Sequence, residues 1–201
     1  MSNADTVALS WARIVRWLQE NAPASAAALN PPATDTDLQY LSGALGSPVP
    51  EPLETWLCLN NGSTAKDSIT QIPGGQQLDV HQDSSIFPRD MVFLDCQRII
   101  SNHRDFLHIA GDIGDEDWWK PTWIPILAHF DSHSGLTMDA GMHGATSPLL
   151  SYSESDYPRP HSPSLGEFLA DVADALEQTN LDGPLTRRHQ ASVQDGRLVW
   201  K

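Results

Sequence analysis

Wound as a helix at ~100° per residue, Leu165, Phe168, Leu169, Val172 and Leu176 fall on one stripe. Glu167, Asp171, Asp174 and Glu177 lie on the far side. Ser164 stands before the run and Glu167 three residues after it. In that pattern a hydroxyl and a carboxylate satisfy orphan backbone N–H groups at a helix start. A helix divided this way must bury its apolar side against another layer, so the chain has a core to cover it. The 201 residues are enough for one domain whose core needs neither disulfide nor metal. With 40% hydrophobic and 19% charged residues, the chain is globular rather than disordered.

The remaining pattern places helices first and strands later. Trp11, Ile14, Val15 and Leu18 predict an amphipathic helix over 7–21, with Arg13 and Arg16 facing away. Residues 21–32 read as a Pro/Ala/Asn connector. Thr34 and Asp37 form a loose capping box for a second helix, which presents Leu38, Leu41 and Leu45 and ends at Gly46. Pro50 and Pro52 suit the first turn of a third helix, with Leu53, Trp56 and Leu57 inward and Asn61–Gly62 stopping it. Residues 63–90 read as polar loop with short strands. Met91 to Leu94 predict a strand, Asp95 to about Ile109 a less regular helix, and Gly111 to Lys120 an acidic loop. Strand-like runs follow at Trp123–Phe130, Leu136–Ala140 and Pro148–Tyr152. This order predicts an α+β fold: a mixed, largely antiparallel sheet with flanking helices, in a single domain over 1–181. A tail, 182–201, carries a small hairpin turning at Asp195–Gly196.

Charge narrows the partners. Twelve Lys+Arg against 26 Asp+Glu give −14, which argues against nucleic acid and against an anionic membrane surface. Such a field attracts basic partners, although solubility alone also accounts for it. Cys58 and Cys96 show no CxxC spacing, so both are expected to be reduced, and Cys58 to lie in or near the core. The N-terminal residues lack the pattern of a signal peptide, and no run reaches the ~20 apolar residues of a membrane span. A cytoplasmic location is expected.

Catalytic patterns are missing: no phosphate loop, no GxGxxG after a strand, no GxSxG elbow. His129, Asp131, His133, Asp139 and His143 gather around the predicted 131–135 turn and raise zinc as one reading. Residues four apart on a strand are ~13 Å apart, however, so a solvated turn is the simpler reading. No cofactor, metal or enzymatic activity is expected. Asp112, Asp115, Glu116 and Asp117 do not match a calcium loop. They are either a solvated loop or a partner-binding edge. Trp118 and Trp119 follow. In an extended segment they would point oppositely, leaving one exposed as an anchor.

Several short motifs occur in a suggestive order. A Trp-rich first helix precedes Leu29–Asn30–Pro31–Pro32, Leu45–Gly46 with Val49–Pro50, and Asn60–Asn61–Gly62. Trp123, Ile124, Pro125 and Ile126 come later, then Asp139, Gly144 and a closing amphipathic helix. Over about residues 8–180 the chain resembles the SUKH superfamily. That resemblance implies the α+β fold above and a non-catalytic, toxin-neutralising immunity role, with a basic toxin domain as partner. Asn61, Gly62, Trp123, Ile124, Pro125, Ile126 and Asp139 match its signature and are read as structural. A regulatory scaffold of the cell-wall-regulator type is the alternative.

Overall fold

The structure is a computed structural model and describes residues 1–64, 68–79, 82–129, 133–141, 147–180 and 182–201. Four helices open the chain: α1 (Asn3–Asn21), α2 (Pro23–Ala27), α3 (Asp35–Leu45) and α4 (Glu51–Leu59). A hairpin of β1 (Ser68–Ile72) and β2 (Gly75–Asp79) follows, then β3 (Val92–Phe93) and α5 (Cys96–Ile113). β4 (Trp123–Ala128), β5 (Ser134–Asp139), β6 (Leu149–Ser153) and β7 (Asp156–Ser162) precede α6 (Leu165–Glu177). A last hairpin, β8 (Ala191–Gln194) and β9 (Arg197–Trp200), ends the chain. The central sheet runs β3-β4-β5-β6-β7 with every ladder antiparallel. The fold is α+β, as the element order requires. Among the described residues no helix is long and apolar enough to cross a membrane.

Local signals account for most of these elements. Thr34 and Asp37 cap each other at the start of α3, and Gly46 closes it in the left-handed conformation at φ 68°. Ser164 Oγ accepts from Glu167 N at 3.2 Å, and Leu165, Phe168, Leu169, Val172 and Leu176 are all buried. They pack against Val7, Trp11, Ile14 and Leu18 of α1 in the main core. The charged faces of these two helices do not look away from each other as the sequence suggests. Arg13 Nη2 lies 2.7 Å from both Asp174 and Glu177, and Arg16 reaches Glu177 at 3.2 Å. Two helices packed along apolar stripes bring their flanking residues together at the rim. The Arg13 guanidinium there holds the Glu177 carboxyl below its ordinary range.

The sheet is covered on both faces. Opposed residues share a face, so Ile124, Met138 and Leu149 point together into the main core. Trp123, Leu150 and Tyr152 point the other way. With Phe106, Ala110, Trp118 and Trp119 they build a second, aromatic cluster under the C-terminal half of α5.

Several features depart from expectation. β7 carries Pro158 and Pro160, which remove ladder donors and mask a strand in sequence; it is an edge strand, where proline is tolerated. α2 is too short to show a period, yet it receives the last hairpin: Leu198 N donates to Ser25 Oγ at 3.0 Å and Ala24 N to the Gly196 carbonyl at 2.9 Å. That hairpin turns where expected, with Asp195 and Gly196 both at positive φ. Leu198 belongs to the main core, so residues 191–200 are part of the same packed body. Cys58 is exposed, not core. It falls just off the Leu53–Trp56–Leu57 stripe of α4, and one residue is ~100° of helix.

Candidate acidic interaction face

α5 runs four residues past its expected end, so Asp112 sits on the helix and not in the loop. Gly114, at φ 69°, closes the helix, and Asp115 N returns to the Ala110 carbonyl at 3.0 Å. Asp115 then organises the next turn. Its Oδ1 accepts from Asp117 N at 3.1 Å and Trp118 N at 3.2 Å, and its Oδ2 from the Tyr157 hydroxyl at 2.5 Å. The Asp115 carboxylate beside it raises the Tyr157 phenol, which therefore stays the donor. Asp115 is thus a structural carboxylate, while Asp112, Glu116 and Asp117 are exposed. Asp112 faces His108 Nε2 at 3.4 Å, and Asp117 has only a loose contact with Lys120 at 3.7 Å.

The same turn overturns the expected tryptophan anchor. Trp118 and Trp119 are both buried. The segment is a tight turn and not a strand, so consecutive side chains need not alternate. Trp119 lies 4.4 Å from Phe106 between ring centroids and meets Trp123 and Tyr152 edge-on. The apolar groups exposed here are Ile109, Ile113 and Tyr157, at 40%, 56% and 52%. From sequence the helix is expected to end at about Ile109 with Ile113 in the loop, which misses both as exposed helix residues. The buried stripe of α5 is Cys96, Ile99, His103, Phe106 and Ala110, and Ile109 and Ile113 fall one turn apart off it.

Asn61 and Asp139, expected to be structural, accept from backbone N–H groups, and the 123–126 run is buried. Asn61 Oδ1 accepts from Cys96 N at 2.9 Å, at the start of α5. Trp123, Ile124, Pro125 and Ile126 form a strand buried at every position, with a register shift after Pro125. Asp139 accepts from Gly141 N at 2.9 Å. His133 Nδ1 pairs with Glu154 at 2.6 Å, both largely exposed. His129 closes the β4–β5 ladder through its backbone, donating to the Ser134 carbonyl at 2.9 Å. Among the described residues no three His, Cys, Asp or Glu side chains gather as a metal site. Asp131, His143 and Gly144 lie outside the described residues.

Beneath this face His103 is buried, with Nε2 2.9 Å from the Pro121 carbonyl. Burial lowers its pKa, so the neutral ring donates that bond at pH 7. The unfolded chain binds the proton at about pH 6.5 and the folded chain only below that. Stability is therefore full above about pH 6.5 and falls as pH drops through the window beneath it. Urea midpoints at pH 7.5, 6.5 and 5.5 should decline more steeply for the native chain than for His103→Gln. Parallel declines would remove His103 as the cause.

The cations are largely engaged. Among the described residues Arg13, Arg16, Arg104, Lys120, Arg159, Arg187 and Arg197 all lie against carboxylates. The excess acid is thus left without local compensation. No family model matches this chain, and no curated protein matches it.

Proposed function

We propose that this chain is a non-catalytic, acidic protein-binding module acting in the cytoplasm, with a basic protein domain as its partner. Its resemblance to the SUKH superfamily makes a toxin-neutralising immunity role the specific form of this reading. The supporting observation is the charge: −14 over 201 residues, with most of the cations among the described residues lying against carboxylates of the same fold. A field of one sign lowers the barrier to encounter with a basic surface and excludes acidic competitors. A toxin domain that binds phosphate backbones must carry clustered Lys and Arg, and so presents the matching sign.

The test is affinity capture from lysate of the source cell, at low and at high salt. One stoichiometric partner with a basic domain, partly released by salt, is expected. An acidic partner, or one indifferent to salt, would sink the proposal.

A further inference from the structure

We infer that the basic partner docks on the outer end of α5, with Ile109 and Ile113 as apolar contacts and Asp112, Glu116 and Asp117 as the receiving charge. This rests on the reading above and adds the surface and the form of the ligand.

Neither the buried stripe of α5 nor helix propensity calls for the two isoleucines. The core stripe of α5 is complete without them, and β-branched residues are mediocre helix formers. They stand one turn apart at 40% and 56% exposure, so their side chains are neighbours and form one apolar ridge that a partner can cover. Tyr157 adds an exposed aromatic ring held in place by its bond to Asp115, which lies two residues from Ile113. A rigid ring loses little entropy on binding. Asp112 precedes Ile113 on the helix and Glu116 and Asp117 follow in the next turn, all three exposed, so charge flanks the apolar groups along the chain as a polar rim flanks the apolar centre of a protein interface.

Charge and topology select the occupant. A second copy would bring another −14 to the same face, and like charge opposes that contact. Strand addition at β7 is disfavoured, because Pro158 and Pro160 interrupt the edge donors. Side-chain docking by a segment with apolar residues at helical spacing and Lys or Arg beside them fits both constraints.

The probe is a synthetic helical peptide with leucines at i, i+3, i+4 and i+7 flanked by lysines, compared with a lysine-only peptide of equal charge. Anisotropy titrations follow each against four proteins. These are the native chain, I109S/I113S, D112N/E116Q/D117N, and a remote control of equal charge change, E20Q/E51Q/E54Q. The I109S/I113S pair is expected to weaken the leucine peptide about tenfold while leaving the lysine-only peptide within about twofold. The D112N/E116Q/D117N variant should weaken both several-fold, and the remote control neither. Amide-exchange protection should rise over 105–118. If the native chain binds the leucine peptide but I109S/I113S binds it equally well, this surface is wrong and the acidic-module reading stands. If the native chain binds neither peptide at low salt, the acidic-module reading fails and the surface with it.

Discussion

Gly62→Ala is expected to destabilise the fold by about 3–5 kcal/mol, much of what a domain of this size possesses. Gly62 sits at φ 77°, and a left-handed conformation costs an L-residue about 1–2 kcal/mol by itself. Steric overlap costs more. A Cβ there would lie 2.4 Å from Asp95 N and 2.8 Å from both Asp95 Cα and Leu94 C, all of them backbone. Nothing can swing aside. The residues that would have to move are the N-cap of α5 and the end of the segment carrying β3. Their bonds run through this point: Ser63 N to the Phe93 carbonyl at 2.9 Å, Asn30 N to the Gly62 carbonyl at 3.0 Å, and Cys96 N to Asn61 at 2.9 Å. Gly46 is the internal control. It also has positive φ, at 68°, but a Cβ there meets nothing within 4 Å among the described residues. Gly46→Ala should cost only about 1 kcal/mol. Urea unfolding of both variants checks this. Equal losses would mean that the close approach at Gly62 does not exist.

Trp56→Ala is expected to cost about 3–5 kcal/mol, the range for truncating a fully buried aromatic. Trp56 stacks on Phe93 at 3.6 Å between centroids and meets Trp11 and Phe87 edge-on at 5.3 and 5.8 Å. Four rings from α1, α4, β3 and the segment before it thus meet at one point, and removing the middle one leaves a cavity lined by rigid neighbours. A finer comparison separates area from hydrogen bonding. Trp11 Nε1 donates to Asn60 Oδ1 at 2.9 Å, whereas Trp56 Nε1 is buried with no partner among the described residues. Trp11→Phe removes a made bond and strands an acceptor; Trp56→Phe removes an orphan donor. Trp11→Phe should therefore cost about 1 kcal/mol more than Trp56→Phe, although the same atoms are deleted. Thermal or urea unfolding of the pair decides it, and the reverse order would contradict this packing.

What could be read in the sequence was what is local. α3 and α6 announce themselves through period and caps, because a hydroxyl three residues from a carboxylate acts within one turn; α1 and α4 do so through apolar period, with prolines in the first turn of α4, and α1 begins at Asn3, four residues before its expected start. What escaped depends on residues far apart in the chain. Trp118 and Trp119 are turned to one side by Asp115, whose second oxygen is held by Tyr157, 42 residues later. Arg13 meets Asp174 across 161 residues. The hairpin at 191–200 looked like a tail because its contact, Ser25, lies 173 residues earlier. The acidic face was half legible. Asp112, Glu116 and Asp117 are exposed as a charged run suggests, but the apolar groups beside them are Ile109, Ile113 and Tyr157 and not the tryptophans.

Recognition of a basic partner by an acidic surface is tested most directly by association kinetics. The partner recovered by capture is mixed with this chain in a stopped-flow instrument, and the rate constant is followed from about 0.02 M to 0.3 M salt, over which the Debye length shrinks several-fold. An association rate constant that falls at least tenfold across that range, with dissociation little changed, is the result expected of electrostatic steering. A rate constant that holds within twofold would contradict it, and would leave the charge of this chain with solubility as its explanation.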